Sequence, residues 1–66
     1  MTKASRVEAA RRAFANVTES LEDATVVAAE GQASPNLSAA HQSCDRLIVL
    51  LETCLARLQR LRRQLG

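Results

Sequence analysis

Tryptophan and tyrosine are absent from this chain, and phenylalanine occurs once, at Phe14. That excludes the row of stacking aromatics on which readers of single-stranded nucleic acid rely. The two glycines lack the spacing of a phosphate-cradling loop. The only proline is Pro35, so nothing breaks the long segments on either side of it. One histidine and two cysteines are too few for a closed four-ligand zinc site within one chain. Cys44 and Cys54 fall on one predicted helix, roughly 15 Å apart at 1.5 Å per residue. A disulfide needs Cα atoms within about 7 Å, so both read as buried structural thiols. The longest apolar run, residues 47–51, is far short of the roughly 20 residues that span a bilayer. Lys3, Arg6, Glu8, Arg11 and Arg12 interrupt the start of the chain, so no export signal is visible. These absences predict a cytoplasmic protein with no membrane span, no metal and no cofactor.

Catalytic chemistry is missing as well. His41 is the only histidine, and it flanks an apolar seam, with Asp45 in reach one helical turn later. The serines, cysteines and aspartates lie on predicted helices without an oriented base. Slender helical rods also offer no concave pocket for a small-molecule substrate. The expectation is a non-enzymatic protein.

Two long heptad seams are present. In the first, Val7, Ala10, Phe14, Val17, Leu21, Ala24 and Ala28 alternate steps of three and four. In the second, Leu37, Ala40, Cys44, Leu47, Leu51, Cys54, Leu58, Leu61 and Leu65 do the same. The pattern is that of amphipathic helices. One interruption, residues 31–36, separates them. The fold class is therefore all-α: residues 1–66 form a single antiparallel helical hairpin, with rods over 5–30 and 35–64 and a turn at 31–36. Ser5 with Glu8 reads as a capping box, with Thr2 able to start the helix one turn earlier. Gly31 reads as a left-handed stop. Ser34 before Pro35 reads as an N-cap, with Asn36 and Ser38 as rivals.

A turn centred near Ser34 sets Val7 against Leu61, Phe14 against Cys54, Leu21 against Leu47 and Ala28 against Ala40, with Phe14 inside. Apolar residues remain over. Ile48 and Leu55 form a stripe beyond the seam, and Val49, Leu50, Val26 and Val27 widen the band. A chain of 66 residues has a core that rarely supplies more than about 3–5 kcal/mol. Completion by association is expected: a four-helix bundle made by an antiparallel dimer, or docking on another protein. Leu47, Ile48, Leu50, Leu51, Leu55 and Leu58 are the expected interface.

The net charge of +2 hides a dipole. Residues 1–16 and 53–66, the open end of the hairpin, carry Lys3, Arg6, Arg11, Arg12, Arg57, Arg60, Arg62 and Arg63 against Glu8, a formal charge of +7. Residues 17–52 carry Glu19, Glu22, Asp23, Glu30, Asp45 and Glu52 against Arg46, a charge of −5. Three readings stand side by side. The arginines complement the C-terminal end of the second helix. Alternatively, complementary ends set the register of two antiparallel hairpins. In the third reading, Arg11, Arg12, Arg57, Arg60, Arg62 and Arg63 grip phosphate or an acidic partner. Arginine suits that role through its bidentate geometry.

The two-helix outline, the length, the string Cys54-Leu55-Ala56-Arg57 and the placement of Lys3 and Phe14 resemble the Rop family, plasmid regulators that dimerise into a four-helix bundle and bind paired RNA hairpins. The resemblance implies a nucleic-acid-binding regulator with Lys3 and Phe14 on its RNA face. Ala10 and Thr18 depart from the polar amides of that face. Small hairpin co-chaperones of bacterial secretion systems have a similar size and outline. The two functional expectations are thus a protein-interaction module (a regulator, inhibitor or co-chaperone) and a Rop-like nucleic-acid binder using the arginine-rich open end.

Overall fold

The computed structural model describes residues 2–66. They form two α-helices, α1 (Lys3–Gln32) and α2 (Leu37–Leu65), folded back as an antiparallel hairpin. Both ends of the rod are tied across. The Arg6 guanidinium donates to the Gln64 carbonyl at 3.2 Å, and Arg46 Nη1 donates to Glu30 Oε2 at 3.0 Å.

Local chemistry sets the helix limits, which differ from the expected 5–30 and 35–64. Thr2 caps α1 one turn before Ser5, its Oγ1 accepting from the Ser5 amide at 3.1 Å. At the other end Gly31 is not a left-handed stop. It is helical, and α1 runs past it to Gln32, where the Ala33 amide bonds to the Glu30 carbonyl at 3.1 Å. Tertiary packing overrides the weak helix preference of glycine here. Asn36, rather than Ser34, caps α2: its Oδ1 accepts from the Ala39 amide at 2.8 Å. The non-helical connection is correspondingly short, residues 33–36.

The hairpin register and its inward face also depart from expectation. A Cβ built on Gly31 would lie 3.6 Å from the Ser43 Cβ, whereas a turn centred at Ser34 would set Gly31 against Leu37. Arg57 Nη1 donates to Ser20 Oγ at 3.0 Å, which agrees with the displaced register. The layers are thus shifted by more than a turn along α2, because α2 begins beyond the end of α1. The buried side chains are Val17, Ala24, Val27, Cys54 and Leu61. Ala10, Ala13, Ser20 and Gly31 on α1 are half-buried, as are Ala40, Ser43, Leu47 and Leu50 on α2.

The α1 residues in contact with α2 are therefore Ala10, Val17, Ala24 and Gly31 together with Ala13, Ser20 and Val27. The second of these rows was not in the expected seam. Small side chains let the two backbones approach closely, and they displace the larger residues outward. Phe14, expected inside, is 52% exposed, and Val7 and Leu21 are exposed with it.

The rod measures 53 × 16 × 10 Å between Cα atoms and exposes 5334 Å². A compact monomer of this mass exposes about 4,100 Å² by the usual size scaling. Two helices side by side are a layer with no second layer upon it.

Candidate interaction face

The two broad faces of the hairpin have opposite character. On one, Asn16, Glu19, Ser20, Asp23 and Arg57 enclose a polar groove. Farther along, Asn16, Arg57, Arg60 and Gln64 line another with Val17 and Leu61. The Ser20 hydroxyl accepts from Arg57 and donates to the Asn16 carbonyl at 3.1 Å. Ser20 thus links the two helices across this face.

The other face is apolar. Phe14 of α1 shares a shallow groove with Leu55, Leu58, Leu61 and Leu65 of α2, edged by Gln59 and Arg62. Val7, Ala10, Phe14 and Leu65 line the adjoining groove, which Lys3, Arg6 and Arg11 border. Spacing explains the continuity. Val7, Phe14, Leu21 and Ala28 recur every seventh residue on α1, as do Leu37, Cys44, Leu51, Leu58 and Leu65 on α2. In an antiparallel pair of helices with heptad packing, two rows one step outside the contact lie on the same side. Ile48 and Leu55 widen the face on α2. Phe14, Leu51, Ile48 and Leu55 are each exposed. Contiguous apolar surface of this kind marks a contact site.

The seams read from the sequence thus divide. One row of each, such as Val17, Ala24, Cys54 and Leu61, packs within the hairpin. The other opens onto the apolar face. Of the six expected interface residues, Ile48, Leu51 and Leu55 lie exposed on this face and Leu58 half-buried at its groove. Leu47 and Leu50 are half-buried and belong to the rows packed against α1. Val7, Phe14, Leu21 and Leu65 were missed as surface residues. The signal that identifies them is the row of small residues, Ala13 and Ser20, one step from Ala10 and Val17.

The six arginines singled out do not make one patch. Arg57 and Arg60 lie on the polar face. Arg62 edges the Phe14 groove and Arg11 edges the neighbouring one, with Arg11 Nη1 4.0 Å from Glu8 Oε2. Arg12 and Arg63 are exposed. The basic charge surrounds the open end rather than forming a stripe. His41 Nδ1 lies 3.3 Å from Asp45 Oδ2 in an exposed pair near the turn. Cys44 is exposed and Cys54 buried, both free thiols; burial of Cys44 was expected, and the outward turn of its row places it on the apolar face instead.

Among the described residues, no group of three or more His, Cys, Asp and Glu side chains could hold a metal ion. No helix among the described residues is long and apolar enough to cross a membrane. Comparison with protein-family models, with curated proteins and with solved structures gives no match.

Proposed function

We propose that this chain is a non-enzymatic protein-interaction module, working in a reducing compartment such as the cytoplasm, whose apolar face is covered by the helices of a protein partner. The observation that carries this reading is the asymmetry of the hairpin. One broad face is polar and is bridged between the helices by the Arg57–Ser20 hydrogen bond, while the opposite face holds Phe14, Leu51 and Leu55 in water. Apolar surface removed from water contributes roughly 25 cal/mol per Å², so covering this face supplies what a single pair of helices lacks. The test is a photo-crosslinking amino acid placed at Phe14 in the living cell. The expected product is a covalent protein adduct; adducts to RNA alone, or no adduct, overturn the reading.

One observation favours a second reading, nucleic-acid binding: Phe14 stands exposed in a groove bordered by Lys3, Arg6 and Arg11. Such binding would rest on phosphate contacts and fall steeply with salt. A salt-sensitive gel shift abolished by charge reversal at Arg6 and Arg11, which border that groove, would support it. The protein reading is preferred because the apolar rows run well beyond the basic end, through Leu21, Leu51 and Ile48, where phosphate contact gives no reason for them.

A further inference from the structure

Resting on the interaction reading, we infer that the partner covering the apolar face is a second copy of this chain, laid antiparallel so that each open end lies over the other copy's turn. Three observations converge on it.

The first is area. The broad side of the hairpin spans 53 × 16 Å between Cα atoms, an outline on the order of 800 Å², within which one side of a stable interface fits.

The second is charge. The open end is strongly basic and the turn half acidic; leaving out Arg57, Arg60, Glu19 and Asp23, which line the polar face, the formal charges are still +5 against −3. Stacked with like ends together, two copies set basic end on basic end. Stacked with opposite ends together, each basic end meets an acidic half, and complementary potentials of this kind fix orientation.

The third is the taper of side-chain size along the face. With Gly31 opposite Ser43, the centre of the rod falls near Leu21 on α1 and between Leu51 and Leu58 on α2. The large residues Phe14, Leu58 and Leu65 lie toward the open end, and the small ones, Ala28 and Cys44, toward the turn; Leu37, at the very start of α2, is large but lies beyond the stretch that a centred second copy covers. A two-fold axis crossing the rod at its centre stacks α1 on α1 and α2 on α2. Phe14 then falls over Ala28 of the other copy, Leu65 over Cys44, Leu58 over Leu51, and Leu21 beside its own counterpart. The two outer layers match a large side chain with a small one, as dense packing requires, and the two central layers set leucine on leucine. The alternative, with like ends together, stacks α1 on α2: Phe14 meets Leu58, while Ala28 meets Cys44 and leaves a void.

The result is a four-helix bundle with a closed, isologous interface. Its central axis is lined by the two heptad seams of each copy, one row of each seam packing within a hairpin and the other between hairpins.

The experiment is sedimentation equilibrium of the purified chain at micromolar concentration, combined with oxidation of Leu21→Cys in a Cys44→Ser, Cys54→Ser background. The expected results are a particle of twice the 7.2 kDa chain mass and a disulfide-linked dimer through position 21. A helical monomer overturns the proposal. So does a dimer in which Leu21→Cys does not cross-link, because the like-ends arrangement sets Leu21 over Leu51. Cross-linking from Phe14 in the cell to a different protein, with the purified chain monomeric, overturns the second copy and leaves the interaction reading standing.

Discussion

Arg46 Nη1 stands 3.0 Å from Glu30 Oε2, joining the last turn of α1 to α2 beside the connection. The contact is well formed, but both side chains are more than half exposed. Exposed ion pairs contribute little because water screens them and two long side chains must be held in place. Glu30→Gln and Arg46→Gln should therefore couple by less than about 1 kcal/mol in a urea-unfolding double-mutant cycle. A larger coupling would mean the pair is desolvated by the assembly.

Gly31 gives a sharper prediction. It is helical, its φ is not positive, and an added Cβ meets only Ser43 at 3.6 Å, ordinary contact. Gly31→Ala should raise stability by about 0.5–1 kcal/mol through reduced freedom of the unfolded chain. A left-handed stop at this position would make the same change destabilising, so thermal unfolding of one variant decides between the two conformations.

The connection holds two polar residues with opposite prospects. Asn36 caps α2 through the Ala39 amide, and Asn36→Ala should cost about 0.5–2 kcal/mol. The Ser34 hydroxyl is buried without a hydrogen-bond partner. Removing an unsatisfied buried polar group is neutral or favourable, so Ser34→Ala should leave the unfolding midpoint unchanged or raise it. Unfolding curves of the two variants, side by side, test which residue starts the helix.

Leu61 and Leu55 sit on the same helix with different duties. Leu61 is 6% exposed within the hairpin and Leu55 55% exposed on the apolar face. Leu61→Ala should cost about 2–4 kcal/mol at any protein concentration. Leu55→Ala should leave the isolated hairpin nearly unaffected but weaken association, so its Tm should fall below that of the parent at high protein concentration and converge with it on dilution. Ile48→Glu with Leu55→Glu should dissociate the particle altogether, as measured by light scattering.

Arg62 edges the apolar face near the open end, and Asp45 lies near the turn. In the antiparallel dimer these two approach across the interface. Arg62→Asp or Asp45→Arg alone should weaken dimerisation about two- to fivefold, the size expected of rim charges, and the double swap should restore it. Sedimentation at low salt reads the effect best, since screening lengthens the odds against detecting it in concentrated salt.

The hairpin was legible because two features of the sequence agree: heptad seams unbroken by proline, and one interruption with caps to either side. Which face turned inward was not legible from hydrophobicity, because the rows of large residues attract the eye. Phe14 and Leu21 outrank Ala13 and Ser20 on any scale of apolarity, yet two backbones in close contact need the small side chains between them. The register was missed for a related reason. A midpoint at Ser34 assumes helices of matching ends, whereas the 33–36 connection carries the start of α2 past the end of α1, so that Gly31 faces Ser43. The expected stripe of Ile48 and Leu55 did emerge on the apolar face, since residues seven apart stay aligned whatever the phase of the hairpin.

Packing through alanine, serine and glycine has one more consequence. The residues that make the hairpin and those that meet its surroundings belong to separate columns on the same helices. Changes at Phe14, Leu21, Leu55 or Leu65 can alter affinity, stoichiometry or partner while Val17, Ala24, Cys54 and Leu61 keep the hairpin intact. A scaffold divided in this way can be re-addressed without being refolded.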